Sequence, residues 1–279
     1  MPKGKDRPVP LFQIDAFTSR PFSGNPAAVC LLEEFFEDAL LRDIAAEMNL
    51  SETAFVVRRP SGGGFEIRWF TPAVEVPLCG HATLAASHVL FNETHEAEDV
   101  IHYDSKSGPL SARREGNRIV LDFPLNPPED ASCPKEILGA LGIKKCKATA
   151  LSRKAEMLLI EIDDEKTLRS LSPDMAALLA SDREGMPFEG VIITAPSTEF
   201  DFVSRYFGPW EGIEEDPVTG SAHTVLAPYW SAKLGKRQFH AFQASRRGGE
   251  LFLRIGDGER LDITGEARTV LEGNLYPRP

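Results

Sequence analysis

Alternating apolar and polar residues predict a chain built mainly from β-strands. Over Leu11–Phe17, Phe65–Phe70 and Arg118–Phe123 the apolar side chains recur at every second position, which is the period of a half-buried strand. The same pattern predicts further strands at Met157–Ile162, Val191–Ala195, Phe200–Arg205, Leu251–Ile255, Leu261–Thr264 and Thr269–Leu271, and β-structure is also expected at Ala54–Val57. Helical periodicity is confined to fewer segments.

An amphipathic helix is predicted to end near Met48, with Asp38 as its N-cap. Short helices are predicted at Pro134–Leu141 and Pro173–Ala180, each opened by proline at its first position. Helices beginning near Gly80 and Gly220 are apolar almost all round, which is typical of a buried helix. We expect each of these to run through the middle of a curled sheet.

Two motifs occur twice, in the same order. Arg68-Trp-Phe-Thr-Pro72 corresponds to Arg205-Tyr-Phe-Gly-Pro209, and Glu75–Ala82 corresponds to Glu215–Ala222 under the pattern Glu-x-Pro-apolar-x-Gly-x-Ala. Each pair leads into one of the buried helices, which favours a duplicated domain. With the proline-rich stretch 123–130 as linker, we predict domains at 8–124 and 125–266, with 267–279 returning to the first.

Composition narrows the possible partners. Among 279 residues, 42 acidic against 31 basic side chains give a formal net charge of −11, which disfavours binding to nucleic acid. No apolar stretch is long enough for a membrane helix, and the polar start Met1–Arg7 does not resemble a signal peptide, so a cytoplasmic protein is expected. The four cysteines lack ligand spacing, so we expect reduced thiols and no metal site.

The two glycines that precede the buried helices are candidate substrate-binding positions. The first backbone N–H groups of a helix lack partners within the helix, so Gly80 and Gly220 let a carboxylate or enolate oxygen approach them closely. The simpler interpretation is that these glycines only permit tight turns. Their occurrence in both copies favours the site.

The residues beside these glycines differ between the copies, as an asymmetric acid–base site requires. His81 at a helix start would favour its neutral, hydrogen-bonding form. Cys79 is either a buried apolar residue or an accessory acid–base group, and Asp216 is either a helix cap or functional. Ser221 is expected to bond at the helix start rather than to act as a nucleophile.

Two polar residues elsewhere complete the candidate set. Glu52 lies between a helix and a strand with apolar neighbours, and burial there would raise its pKa toward that of a proton shuttle. The alternative is a solvated loop glutamate. Asn25, in an Asn-Pro turn, is either structural or a ligand-binding amide.

Taken in order, these segments resemble the PhzF family of phenazine biosynthesis-like domain-containing proteins. The matching residues are Asp15–Phe17, Gly24–Val29, Asn49–Phe55, Arg68–Pro72, Cys79–Thr83 and Glu215–Ala222. The resemblance implies an α+β fold of the diaminopimelate-epimerase-like type. In this fold two similar domains, related by pseudo-twofold duplication, each wrap a curled mixed sheet or barrel around a central helix.

The resemblance also implies a cofactor-independent isomerase whose small carboxylated substrate binds between the domains. Glu52 would shuttle the proton, His81 and Asp216 would orient the substrate, and Gly80, Gly220 and Ser221 would surround it. A homodimer is plausible for this family. Two alternatives stay open: a racemase or epimerase that uses Cys79, although its repeat partner is Thr219, and a non-catalytic protein-interaction role on an enzyme scaffold.

Overall fold

A computed structural model describes residues 8–60 and 62–277 of the chain, and shows a mixed α+β fold made mostly of strands. The strands are β1 Val9–Ala16, β2 Asn25–Leu32, β3 Glu52–Arg58, β4 Phe65–Phe70, β5 Glu75–Val76, β6 Val100–Ser105, β7 Gly108–Glu115, β8 Arg118–Pro124, β9 Glu129–Asp130, β10 Ala148–Ser152, β11 Met157–Glu161, β12 Gly190–Ala195, β13 Phe202–Gly208, β14 Ile213–Asp216, β15 Gln238–Gln243, β16 Gly249–Ile255, β17 Arg260–Gly265 and β18 Ala267–Leu275. The α-helices are α1 Asp38–Met48, α2 Gly80–His88, α3 Lys135–Ala140, α4 Glu165–Ser170, α5 Met175–Ala180 and α6 Gly220–Leu234. A π-helix at Val89–Glu93 continues α2, and a 3-10 helix lies at Pro209–Glu211.

Within this described part, no helix is long and apolar enough to cross a membrane. The prediction about a signal peptide at Met1–Arg7 concerns residues outside the described ranges. The four cysteines are all described, and all are free thiols.

The chain divides into two compact units. Unit 1 is Met1–Asp122 with Thr264–Pro279, and unit 2 is Phe123–Ile263. The last strand, β18, belongs to unit 1 because it pairs antiparallel with β1, where Val9 lies opposite Leu275.

The strand pairing of unit 1 recurs in unit 2. In unit 1, β1–β2 is antiparallel, β2–β3 parallel, β3–β4 and β4–β5 antiparallel, β4–β6 parallel and β6–β7 antiparallel. In unit 2, β10–β11 is antiparallel, β11–β12 parallel, β12–β13 and β13–β14 antiparallel, β13–β15 parallel and β15–β16 antiparallel. The second series repeats the first strand by strand.

An arginine–glutamate pair occupies the same place in both series. Arg68 on β4 binds both carboxylate oxygens of Glu75 on β5, at 2.8 and 2.7 Å. Arg205 on β13 binds Glu215 on β14 in the same bidentate way, at 2.6 and 3.0 Å. The repeated Arg and Glu of the sequence motifs therefore form one ion pair in each unit. In unit 1, the hydrogen bonds from Arg68 hold the pKa of Glu75 below its ordinary value.

The helix that follows each pair is buried, as its composition predicts. From His81 to His88 every residue of α2 is buried, and the helix packs against β1, β2, β3 and β18. In α6 the buried side chains include Trp230, whose ring stacks on Phe202 with centroids 5.5 Å apart. A helix without a polar face gains most when surrounded by sheet, because almost all of its surface is apolar.

The remaining helices cover the outer side of each sheet. In unit 1, α1 buries Leu41 and Ile44 in an apolar cluster with β1, β2 and β3. In unit 2, α3, α4 and α5 pack on a cluster centred on β11 and β12. Each unit thus has an apolar core of its own.

The predicted helix starts were wrong in detail. Glu37 rather than Asp38 is the N-cap of α1, and no side chain caps that helix. Pro134 occupies the N-cap position of α3 instead of its first turn. At α5 the N-cap is Asp174, whose carboxylate accepts a hydrogen bond from the backbone N–H of Ala177, so Pro173 lies outside the helix.

Candidate active site

The candidate residues of unit 1 meet where β2, β3 and α2 begin. Asn25 is the first residue of β2, Glu52 is the first residue of β3, and Cys79 is the N-cap of α2. Because β2 and β3 are parallel neighbours, their first residues lie at the same edge of the sheet. Gly80 and His81 follow directly as the first two residues of α2.

His81 is the centre of this group. Its Nδ1 lies 3.2 Å from the amide nitrogen of Asn25 and 3.5 Å from the sulfur of Cys79. Its Nε2 lies 3.3 Å from Oε2 of Glu52. The four side chains form a continuous set, and all four are buried.

Glu52 is not the solvated loop residue of the alternative interpretation, since only 9% of it is exposed. Burial lowers the pKa of His81 to about 3, so the imidazole is neutral at pH 7. The contact between His81 and Glu52 therefore joins a neutral ring to a carboxyl group and is not a salt bridge at that pH. A neutral imidazole beside a buried carboxyl group suits proton transfer assisted by hydrogen bonding.

Three of these residues carry groups that bind metals. One donor atom each from Glu52, Cys79 and His81 lies within 4.8 Å of the others. Cys79 and Glu52, however, contact opposite nitrogens of the His81 ring. A single ion would have to bind on one side of the ring, so the imidazole would need to turn before all three could ligate it.

The candidate residues of unit 2 gather at the start of α6. Asp216 is the last residue of β14, and its carboxylate accepts a short hydrogen bond from the hydroxyl of Thr219. Thr219 is the N-cap of α6, so Asp216 is not the cap. Gly220 is buried at the first position of the helix, and Ser221 is exposed at the second.

Sequence analysis did not single out Gln243, which joins Asp216 and Thr219 by hydrogen bonds. Gln243, at the end of β15, is fully buried. Its amide nitrogen donates to the backbone oxygen of Asp216 at 2.8 Å and to the Thr219 hydroxyl at 3.0 Å, and its oxygen accepts from the Thr219 N–H at 2.8 Å. The available signal was a glutamine at a buried position of an alternating strand, where an unpaired amide is unfavourable.

The two units differ at the position of Glu52. Phe55 pairs with Arg68 in unit 1, and Ile193 pairs with Arg205 in unit 2. The residue three positions before Phe55 is Glu52, and the residue three positions before Ile193 is Gly190. The duplication therefore kept a carboxylate at this place in unit 1 only.

Comparison with known proteins agrees with this architecture. Residues 14–273 match the family described as phenazine biosynthesis-like protein, PhzC-PhzF. An uncharacterized isomerase of Pseudomonas aeruginosa is 49% identical over 266 residues, covering 95% of this chain and 98% of that protein. The phenazine biosynthesis-like domain-containing protein of Homo sapiens is 45% identical, covering 96% of this chain and 99% of its own length.

A solved structure extends the match to three dimensions. The crystal structure of a PhzF-family phenazine biosynthesis protein from Enterococcus faecalis superposes with a TM-score of 0.90 at 42% identity, covering 97% of this chain and 100% of that one. The chain therefore belongs to the PhzC-PhzF family of phenazine biosynthesis-like proteins, and it is an isomerase of that family.

Proposed function

We propose that this protein is a cofactor-independent isomerase in which Glu52 removes a proton from one carbon of a small carboxylated substrate and returns it to another. The observation that carries the proposal is the buried Glu52 carboxyl group, 3.3 Å from the neutral His81 at the start of α2. A buried base holds the proton it has taken within reach of a second carbon of the substrate, and when that proton exchanges with solvent before it is returned, the product carries solvent hydrogen.

The asymmetry between the units supports a single base. Gly190 takes the place of Glu52 in unit 2, and Thr219 takes the place of Cys79. Neither residue can act as an acid or base near neutral pH. One base that both removes and returns the proton is consistent with isomerisation.

Helix starts offer a second kind of support. The first N–H groups of α2, and the positive end of its dipole, lie next to Glu52 and His81 and favour an anionic group there. The proposal includes the binding roles of Gly80, and of Asp216, Gly220 and Ser221, that the family resemblance implies. The homodimer and the cytoplasmic location stay predictions.

Deuterium exchange tests this function while the substrate is still unidentified. The protein is incubated in D2O with a pool of small carboxylated metabolites, and mass spectrometry reports which compounds gain deuterium. Glu52→Gln keeps the shape of the side chain but removes the base, so exchange should fall by about 100-fold or more. Glu47→Gln, at an exposed position of α1 in the same unit, is the matched control and should exchange like the wild type. Wild-type activity in Glu52→Gln would refute the proposal.

A Cys79-assisted racemase or epimerase is the second candidate, favoured by the 3.5 Å contact between the Cys79 sulfur and Nδ1 of His81. Cys79→Ala separates the two functions in the same assay. If Glu52 is the only base, Cys79→Ala retains exchange. If the thiol transfers a proton directly, the loss equals that of Glu52→Gln, and alkylation of Cys79 inactivates unless substrate protects it.

A further inference from the structure

The two ring nitrogens of His81 have different surroundings. Nδ1 faces the amide nitrogen of Asn25 at 3.2 Å and the thiol of Cys79 at 3.5 Å. Nε2 faces Glu52. A neutral imidazole carries one proton, so these neighbours decide which nitrogen holds it.

Asn25 determines the position of that proton. An amide nitrogen only donates hydrogen bonds, so Nδ1 of His81 must accept the one from Asn25, and the proton belongs on Nε2. The amide itself is held firmly, because Asn25 is fully buried and pairs with Ala16 across β1 and β2. The thiol of Cys79 adds a second, weaker donor to the same nitrogen.

The proton on Nε2 has no hydrogen-bond acceptor among the residues that the structure describes. Oε2 of Glu52 is 3.3 Å away but does not form a hydrogen bond with this nitrogen, and His81 is 5% exposed. A buried donor of this kind is unfavourable unless another group completes the bond. The group that can do so is a ligand oxygen beside Glu52.

We propose that Asn25 is a positioning residue that fixes His81 in the Nε2–H tautomer, so that this N–H donates to a substrate oxygen next to the carbon that Glu52 deprotonates. This inference rests on the proposed function and narrows its substrate class. The substrate carries its labile C–H directly beside a carbonyl or carboxylate oxygen.

The chemistry balances without any other reactant. The Glu52 carboxylate takes the proton, the C–H electron pair moves onto the neighbouring oxygen, and the Nε2–H hydrogen bond stabilises the resulting enolate. When the substrate also has a carbon–carbon double bond next to that C–H, the anion is delocalised over it, so Glu52 returns the proton to the far carbon of the double bond and the double bond shifts. His81 keeps its proton throughout, as a neutral imidazole that acts as an electrophile.

His223 provides an internal reference, because its ring holds the opposite tautomer. Its Nδ1 lies 2.8 Å from the backbone oxygen of Thr219, and a carbonyl only accepts, so His223 holds its proton on Nδ1. Burial lowers the pKa of His223 to about 4, so both rings are neutral at pH 7. One spectrum should therefore contain both tautomers.

Nitrogen-15 NMR of the full chain with labelled histidine rings tests the tautomer without a substrate. At pH 7, His81, assigned by its loss in His81→Gln, should be protonated at Nε2 only, and His223 at Nδ1 only. Asn25→Asp replaces the donor by an acceptor, so Nδ1 of His81 should become protonated while His223 is unchanged. Cys79→Ala, the matched control, should leave the proton on Nε2. A wild-type His81 protonated on Nδ1, or an unprotonated Nδ1 in Asn25→Asp, would overturn the assignment.

Paired compounds test the substrate class in the D2O assay. Each carbonyl or carboxylate compound is matched with the alcohol of the same skeleton, and exchange is expected only at the carbon next to the carbonyl or carboxylate group. Exchange in the alcohols would overturn the substrate class. Absence of exchange in both sets would count against the proposed function instead, and the wild-type spectrum would still decide the tautomer.

Discussion

Gln243 shows how a residue outside the candidate site controls one inside it. Its amide spans the backbone of Asp216 and both the backbone and hydroxyl of Thr219, and that hydroxyl in turn bonds the Asp216 carboxylate. The orientation of the Asp216 carboxylate therefore depends on Gln243, which is buried in β15. Thr219, the repeat partner of Cys79, acts here as a hydrogen-bond relay to Asp216 and not as an acid or base.

Replacing Gln243 should be costly for stability. Gln243→Leu leaves the Thr219 N–H and the Asp216 carbonyl without their buried partner, which should lower the free energy of unfolding by about 2–4 kcal/mol. Gln238→Leu, at an exposed position of the same strand, should change it by about 0.5 kcal/mol or less. Urea unfolding of both variants measures the difference, and equal stabilities would contradict this account of Gln243.

At the scale of elements, β3 and β12 show how duplication produced one base. Both are second strands of a parallel pair, yet β3 begins with Glu52 and β12 begins with Gly190. A Cβ placed on Gly190 would lie 2.0 Å from the hydroxyl oxygen of Tyr206. That hydroxyl, bonded to Glu211 at 2.8 Å, fills the space that a side chain at position 190 would need. Unit 2 thus excludes any second carboxylate at this position.

A double-mutant cycle tests this exclusion. Gly190→Ala should lower the free energy of unfolding by about 1–3 kcal/mol because the added methyl group overlaps the Tyr206 ring. Tyr206→Ala removes the obstacle, so the double variant should be more stable than the sum of the single effects predicts, by about 1 kcal/mol or more. Urea unfolding of the four proteins gives the coupling, and additive effects would mean that the tyrosine does not restrict position 190.

Elements were predictable to the extent that they depend on periodicity. The alternation at Phe65–Phe70 predicted β4 with its observed bounds, and the repeated motifs pointed to a second copy of the same arrangement. Helix starts were not predictable, since capping depends on the backbone direction entering the helix, and Asp38 and Asp174 look alike in sequence. The requirement for glycine at position 190 was not predictable either, because it depends on Tyr206 in the neighbouring strand.

Across the whole molecule, the sequence predicted which residues belong to the candidate site better than it predicted which of them are in contact. Glu52 and His81 were chosen for their positions at element boundaries, which the sequence displays. The link from Asn25 through His81 to Glu52 brings together three segments far apart in the chain, and no local pattern encodes such a contact. His223 shows the same limit: no motif marked it, yet it is buried at the start of α6 much as His81 is at the start of α2.

These two histidines make the stability of the molecule depend on pH. Burial lowers the folded-state pKa of His81 and His223 to about 3 and about 4, below the ordinary value of 6.5, so between pH 6.5 and about 4 the unfolded chain binds more protons than the folded one. Stability from this source is fully present above pH 6.5 and is lost as the pH falls, by about 1 kcal/mol per pH unit for each histidine.

The pH dependence of the unfolding free energy should therefore be weaker without these two rings. In urea unfolding at pH 7 and pH 5, the variant carrying both His81→Gln and His223→Gln should lose less stability between the two pH values than the wild type does, whatever its stability at pH 7. His102→Gln, at an exposed position, should follow the wild type. Because the carboxylates that do not contact either ring have the same surroundings in all three proteins, their titration cancels in this comparison. An unchanged loss in the double variant would mean that the rings are already protonated in the folded state at pH 5, which contradicts pKa values lowered by burial to about 3 and about 4.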